Sequence, residues 1–288
     1  MPSLKCRAAR CQGLVALAAL LEVCRCTQAT TTAVVGLISE NAADDDDSGL
    51  PVWPIPQLEQ ASGPSVDLAT NFSVLYSGSS RVAQNAAARY TELIRNKMVV
   101  LRNRPANAAV PGVVLASLVL QLDTANDSLI DWTVNESYAL NVSVADEEDG
   151  TSAVVVAAAS AATPFGGLHA LETFYQLIDT TSGWAMLPHD TIFIADEPAY
   201  AHRSLMIDVG RRLWPMTFVK AVVDAMSFTK LNVLHLHFND MGRFAVESRA
   251  FPELNVGYCI DGTCDGTYWT QVRSFVGSFV RSLSLIHI

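Results

Sequence analysis

Two apolar segments, "SLMIDV" at 204–209 and "NVLHLHF" at 232–238, flank "PMTFVKAVVDAMSFTKL" at 215–231, whose apolar spacing is helical. A strand–helix–strand order of this length constrains the fold more than any other feature. Strands joined by a crossover helix pair in parallel with a right-handed connection. Parallel βα units place ligand-handling residues at the carboxyl ends of their strands. The second segment ends in His235, His237, Asn239 and Asp240. Period-two alternation predicts Leu234, Leu236, Phe238 and Asp240 on one face and His235, His237 and Asn239 on the other. Asp240 is therefore the first candidate for a site. The two histidines are expected to be buried and satisfied, linking strand to neighbouring helix. A metal-dependent hydrolase built on His235 and His237 would need a third ligand that the sequence does not show, so no metal and no cofactor are expected.

Upstream, strand-like and helix-like stretches alternate. "DLATNFSVLY" (67–76) and "GVVLASLVLQL" (112–122) read as strands around a helix in "RVAQNAAARYTELIRNKMVVL" (81–101). "SYALNVSV" and "SAVVVAAAS" read as two further strands of a meander. "GGLHALETFYQLI" reads as a second helix opened by Thr163-Pro164, and Thr191 to Ala195 as a closing strand. This order predicts an α+β domain over 66–198, a sheet with two helices on one face. Residues 30–65, with the acidic run Asp44 to Asp47 and the Pro-rich "PVWPIP", read as a linker and an extended segment. Residues 199–288 form the βα part, with "YWTQVRSFVGSFVRS" as its next helix.

The formal charge is −10, from 19 basic and 29 acidic residues. That argues against a phosphate-tracking surface and against nucleic acid as a partner. Residues 1–29 have a basic start (Lys5, Arg7, Arg10), the short apolar run "GLVALAALLEV" and a small-residue end, the order of a secretory signal peptide. The run is too short for a stable membrane span. Four of the six cysteines lie in that segment, leaving Cys259 and Cys264, which in an oxidising compartment could form a local disulfide. Asn71, Asn126, Asn135 and Asn141 each open an Asn-x-Ser sequon, consistent with a secreted or lysosomal/vacuolar glycoprotein.

The stretch "HRSLMIDVGRRLWPMTFVKAVVDAMSFTKLNVLHLHFNDMGRFAVESRAFPEL" (202–254) resembles the opening of the catalytic (β/α)8 barrel of glycoside hydrolase family 20, the β-N-acetylhexosaminidases. "PFGGLHALETFYQLI" (164–178) looks like the last helix of the small α+β domain that precedes that barrel in the family. The implied fold is an α+β amino-terminal domain followed by the first βα units of a truncated TIM barrel.

The resemblance also implies roles. Arg203, before the first strand, matches the arginine expected to bind hydroxyls of the terminal sugar, and Asp240 matches the aspartate at the end of strand two; the two are expected together at one rim. Asp208 and Arg211 are expected to pair structurally at the strand-to-helix turn, near His235 and His237, and Glu247 to anchor a loop. Met241 stands where much of the family has a second acidic residue. The family's chemistry is exo-acting, retaining and substrate-assisted: the 2-acetamido group attacks its own anomeric carbon while an Asp-Glu pair assists. That pair is expected beyond the end of this chain, and residues 282–288 do not continue the family pattern, so the chain as written is expected to be inactive. N-acetylglucosamine- or N-acetylgalactosamine-terminated glycans are the implied partners, with homodimerisation common in the family. The alternative is a non-catalytic sugar-binding or interaction protein.

Overall fold

The computed structural model describes residues 49–99, 114–127, 133–146, 153–212, 214–240, 243–244 and 246–255. The chain divides into two compact units, Met1–Ala199 and Tyr200–Ile288. The segment read as a signal peptide, Cys259, Cys264 and the helix expected after residue 267 lie outside the described residues.

The first unit is built on a seven-stranded sheet in the order β1-β7-β4-β5-β3-β2-β6. Its strands are β1 (Leu58–Ser62), β2 (Val66–Leu75), β3 (Val114–Leu122), β4 (Tyr138–Asp146), β5 (Ala153–Ala161), β6 (Met186–Leu187) and β7 (Thr191–Asp196). Helices α1 (Arg81–Val99) and α2 (Pro164–Leu177) pack together on one face. The inward positions of the strands are closed from solvent: Phe72, Leu118, Leu140, Val142, Ile192 and Ile194 are each 0% exposed. Phe72 stacks on Phe174 of α2 at 5.6 Å between ring centres.

Two expectations are corrected here. Residues 58–62, read as part of the linker, form an edge strand antiparallel to β7. The strands from "SYALNVSV" and "SAVVVAAAS" pair antiparallel, but β3 pairs in parallel with β5 and with β2 rather than entering a meander through β4. The α1 crossover puts β3 beside β2, and the long β4–β5 hairpin then inserts with β5, not β4, on that edge.

Each helix begins on a long-range contact. At α1, the Asp127 carboxylate accepts from the backbone N–H of Arg81 (2.7 Å) and from Ser80 Oγ (2.5 Å), an anion at the positive helix end. At α2, Thr163 Oγ1 accepts from Gly166 N (3.4 Å) and donates to Asn135 O (2.6 Å), with Pro164 at the first helical position. A Cβ on Gly166 would lie 2.4 Å from Ser137 O, so only glycine lets the backbones approach there.

The polar residues of α2 brace the unit. Tyr90 Oη donates to buried Glu172 Oε2 at 2.6 Å, and Gln176 Nε2 donates to Glu172 Oε1 at 3.1 Å. Gln176 Oε1 accepts from Trp53 N at 2.7 Å, which ties the Pro-rich segment down. Tyr138 Oη lies 2.7 Å from Thr173 Oγ1 and donates to Asp196 Oδ2 at 3.0 Å. His169 Nε2 and Glu136 Oε1 form a buried pair at 3.2 Å.

The second unit holds β8 (Ser204–Asp208), α3 (Met216–Phe228) and β9 (Val233–His237), followed by the short β10 (Asn239–Asp240), β11 (Arg243–Phe244) and a 3-10 turn at Pro252–Asn255. β8 and β9 pair in parallel, Ser204 opposite Val233 through Asp208 opposite His237. A separate core of Ile207, Val209, Val219, Val222, Val223, Met226, Leu234 and Leu236 holds α3 against them.

Candidate functional site

The carboxyl ends of β8 and β9 bring three polar side chains together. Asp208 and His237 are register partners at the last position of each strand. Beyond them the N–H groups of Val209 and Gly210 both donate to His237 O at 3.0 Å, closing the strand pair. One ligand atom each from Asp208, His237 and Asp240 lie within 4.8 Å of one another. Arg211 enters from the β8–α3 turn. Its backbone N–H donates to Asp208 Oδ1 (3.0 Å), which fixes the turn, and its Nε reaches Asp240 Oδ2 (2.5 Å) and Asp208 Oδ2 (3.3 Å).

The Arg211 side chain is 75% exposed, against 27% for Asp208 and 32% for Asp240. The hydrogen bond from Arg211 to Asp240, with the charges of Asp240 and Asp208, raises the guanidinium pKa above its ordinary value. The cluster is thus a solvent-reachable cation held in orientation by two half-buried carboxylates, with an imidazole beside them. It offers charge-assisted donors and acceptors side by side, the equipment for gripping neighbouring hydroxyls. A cation placed between Asp208, His237 and Asp240 would have to displace Arg211 from both carboxylates, so the donor set does not favour a metal.

Three sequence expectations are corrected. Arg203 and Asp240 do not share a rim. Arg203 precedes β8 at its amino end, whereas Asp240 follows β9 beyond its carboxyl end. The Arg203 Nε donates to Lys230 O (2.8 Å) and a terminal nitrogen to Tyr200 O (2.8 Å). Its backbone carbonyl accepts from Asn232 N and Val233 N, and its N–H donates to Asn232 Oδ1. Arg203 therefore locks the turn after α3, where Lys230 takes a left-handed φ of 57°. The charged partner of Asp240 is Arg211, which the sequence assigned only to Asp208.

Alternation was also extended too far: β9 stops at His237, so Asp240 in β10 turns back to the same cluster as His237 instead of lying on the opposite face. Finally, His235 is exposed rather than buried. It pairs in register with Met206, itself 57% exposed, on the face away from α3. Glu247 is exposed on the segment between β11 and the 3-10 turn. Met241 lies outside the described residues.

Sequence reasoning did not single out Trp214 in the β8–α3 connection. It stacks on Phe218 at 4.6 Å and carries Arg212 over its ring at 4.3 Å. A tryptophan directly before a helix-opening proline was the available signal.

Comparison with known proteins places both units. Residues 200–270 match the family model described as glycosyl hydrolase family 20, catalytic domain, and residues 52–177 match one described as beta-acetyl hexosaminidase like. The beta-hexosaminidase subunit beta of Felis catus is 34% identical over 217 residues, 72% of this chain and 38% of that one. Beta-hexosaminidase 3 of Arabidopsis thaliana is 28% identical over 231 residues, 77% of this chain and 41% of that one. Among solved structures, a glycoside hydrolase family 20 β-N-acetylglucosaminidase superposes with a TM-score of 0.55 at 25% identity, over 81% of this chain and 41% of that chain. A Flavobacterium johnsoniae chitobiase does so with a TM-score of 0.59 at 24% identity, over 82% and 34%. The chain spans about two fifths of the length of these curated relatives.

Proposed function

The chain belongs to glycosyl hydrolase family 20, and from that premise we propose that it carries the sugar-gripping start of an exo-acting, retaining β-N-acetylhexosaminidase. The observation that carries this reading is the Arg211–Asp240 pair at the carboxyl ends of two parallel strands, where (β/α) folds hold their ligands. A planar guanidinium beside a carboxylate can donate to one hydroxyl of a terminal sugar and accept from its neighbour. Asp208 holds Arg211 in place, and His237 lines the same rim.

The second unit supports a barrel origin in another way. Leu234 and Leu236 face α3, whereas Met206 and His235 are left in solvent. That second face is the interior of a closed (β/α)8 barrel, filled there by side chains of further strands. The assisting aspartate and the acid/base glutamate of the substrate-assisted mechanism are assigned to later strands of such a barrel, which leaves the residues described here to bind and orient the sugar. The natural substrates are glycans ending in β-linked N-acetylglucosamine or N-acetylgalactosamine, met in the secretory pathway or a lysosome-like compartment. Among the described residues no helix is long and apolar enough to cross a membrane.

The test uses the full 288-residue chain. Ligand-observed NMR with methyl β-N-acetylglucosaminide is expected to show weak binding, with a Kd of about 1 mM or above, equivalent to about −4 kcal/mol or weaker. Arg211→Ala is expected to abolish it. The same chain is expected to release no aryl group from an aryl N-acetylglucosaminide. Turnover of that substrate overturns the assignment of the assisting aspartate and acid glutamate to later strands, and binding undiminished by Arg211→Ala overturns the sugar-gripping role of Arg211.

A further inference from the structure

The face of the seven-stranded sheet turned away from α1 and α2 carries an apolar row. Register aligns Gln60 of β1, Phe193 of β7, Asn141 of β4, Ala158 of β5, Val119 of β3 and Leu75 of β2 across six strands. Phe193 and Val119 are each 37% exposed and Leu75 48%, and Val156, opposite Ser143 one row along, is 47% exposed. None of these positions is charged. A sheet face left to water is ordinarily polar, and large exposed apolar side chains on both sides of Asn141 mark a surface that something covers.

Asn141 lies in the middle of this row, exposed, and opens the sequon Asn141-Val142-Ser143. We propose that an N-linked glycan on Asn141 is the cover: its first sugars lie along the row, over Phe193 on one side or over Ala158 and Val119 on the other. This rests on the secretory-pathway reading above. Pyranose rings have C–H faces that pack against aromatic and aliphatic groups while their hydroxyls stay in water, which suits a strip that is apolar but uncharged. Strands about 4.8 Å apart put Phe193 and Ala158 beneath the first sugar and Val119 about 10 Å from Asn141, beneath the second.

The other three sequons are exposed as well but lie off the row. Asn71 sits in the irregular part of β2 where the register with β3 shifts. Asn126 adjoins the Asp127 clamp on α1. Asn135 accepts from Ser137 N through Oδ1, at the start of α2.

The experiment is secretion of the full chain from a eukaryotic host, followed by glycopeptide mass spectrometry and binding of a hydrophobic fluorescent dye to the folded protein. Asn141 is expected to be occupied. Trimming the whole glycan from the folded glycoprotein with a glycan-releasing amidase is expected to raise dye binding severalfold, as is Asn141→Gln or Ser143→Ala. Asn126→Gln is expected to leave it unchanged. Trimming acts after folding, so it decides the matter even where a variant fails to be secreted. A bare Asn141 in a chain glycosylated elsewhere overturns the proposal and leaves the secretory reading standing. Dye binding unchanged by trimming overturns it too. A chain with no sugar at any of the four sequons overturns both.

Discussion

Arg203 and Arg211 flank a single strand, and its direction sends them to opposite ends of the unit. Their expected mutational signatures differ accordingly. The Arg211 side chain is largely exposed and its ion pairs are screened by water, so Arg211→Ala is expected to leave urea-unfolding midpoints nearly unchanged while removing sugar binding. Arg203→Ala strips charged donors from two backbone carbonyls, that of Lys230 part-buried and that of Tyr200 exposed, and is expected to cost about 2 kcal/mol, most of it from the Lys230 bond, read as a lowered midpoint for the second unit. A second residue-scale expectation concerns alkaline pH. Burial, with the nearby charge of Asp196, holds the Tyr138 phenol far above its ordinary pKa of 10.0, and burial also raises that of Tyr175. An unfolded phenol loses its proton near pH 10 while the folded one keeps it. The stability contribution is therefore complete below pH 10 and declines as pH rises above it. Tyr138→Phe is expected to lower stability by about 1 kcal/mol at neutral pH through the lost hydrogen bonds, and to flatten part of the alkaline decline in denaturation profiles above the ordinary phenol pKa of 10.0.

At the scale of elements, α2 contains a paired test. Gly166 and Gly167 are adjacent in the first turns of the helix, and propensity alone favours alanine at both by about 1 kcal/mol. Their surroundings differ. A Cβ at 166 meets backbone oxygen at 2.4 Å, whereas at 167 it meets the methyl ends of Leu122 and Leu120 at 3.0 and 3.3 Å, which can give way. Gly166→Ala is expected to destabilise by about 2 kcal/mol or more and Gly167→Ala to be near neutral, measured by thermal melts of the two variants. At α1, Asp127→Ala removes an acceptor and a negative charge from the helix start and is expected to cost about 1–2 kcal/mol in the same assay. Helical and strand periods were readable along most of this unit because they depend on neighbours a few residues apart. The clamp from Asp127 was not readable, because it reaches α1 from 46 residues away.

At the scale of the whole molecule, the two cores share no residue. Residues 49–199 are expected to fold alone and unfold in one cooperative transition, checked by coincidence of circular dichroism and fluorescence in urea. Starting that segment at residue 63 instead removes β1 and exposes the edge of β7, which is expected to lower the midpoint and promote association. β1 escaped sequence reading because "LEQAS" is short and polar, with nothing of strand periodicity in it. It becomes a strand only because β7 supplies its hydrogen-bonding partners.

The sequence by itself determined the alternation of strand and helix, the parallel βα unit of the second half, and which polar residues gather near the end of its second strand. These follow from local periodicity and the handedness of the chain. Only the tertiary structure decided which charges meet: Asp240 with Arg211, and Arg203 with the carbonyls of Lys230 and Tyr200. Where β9 stops, and which residue of β8 lies opposite which residue of β9, are set by hydrogen bonds between residues about 30 apart. No short window of sequence contains both partners.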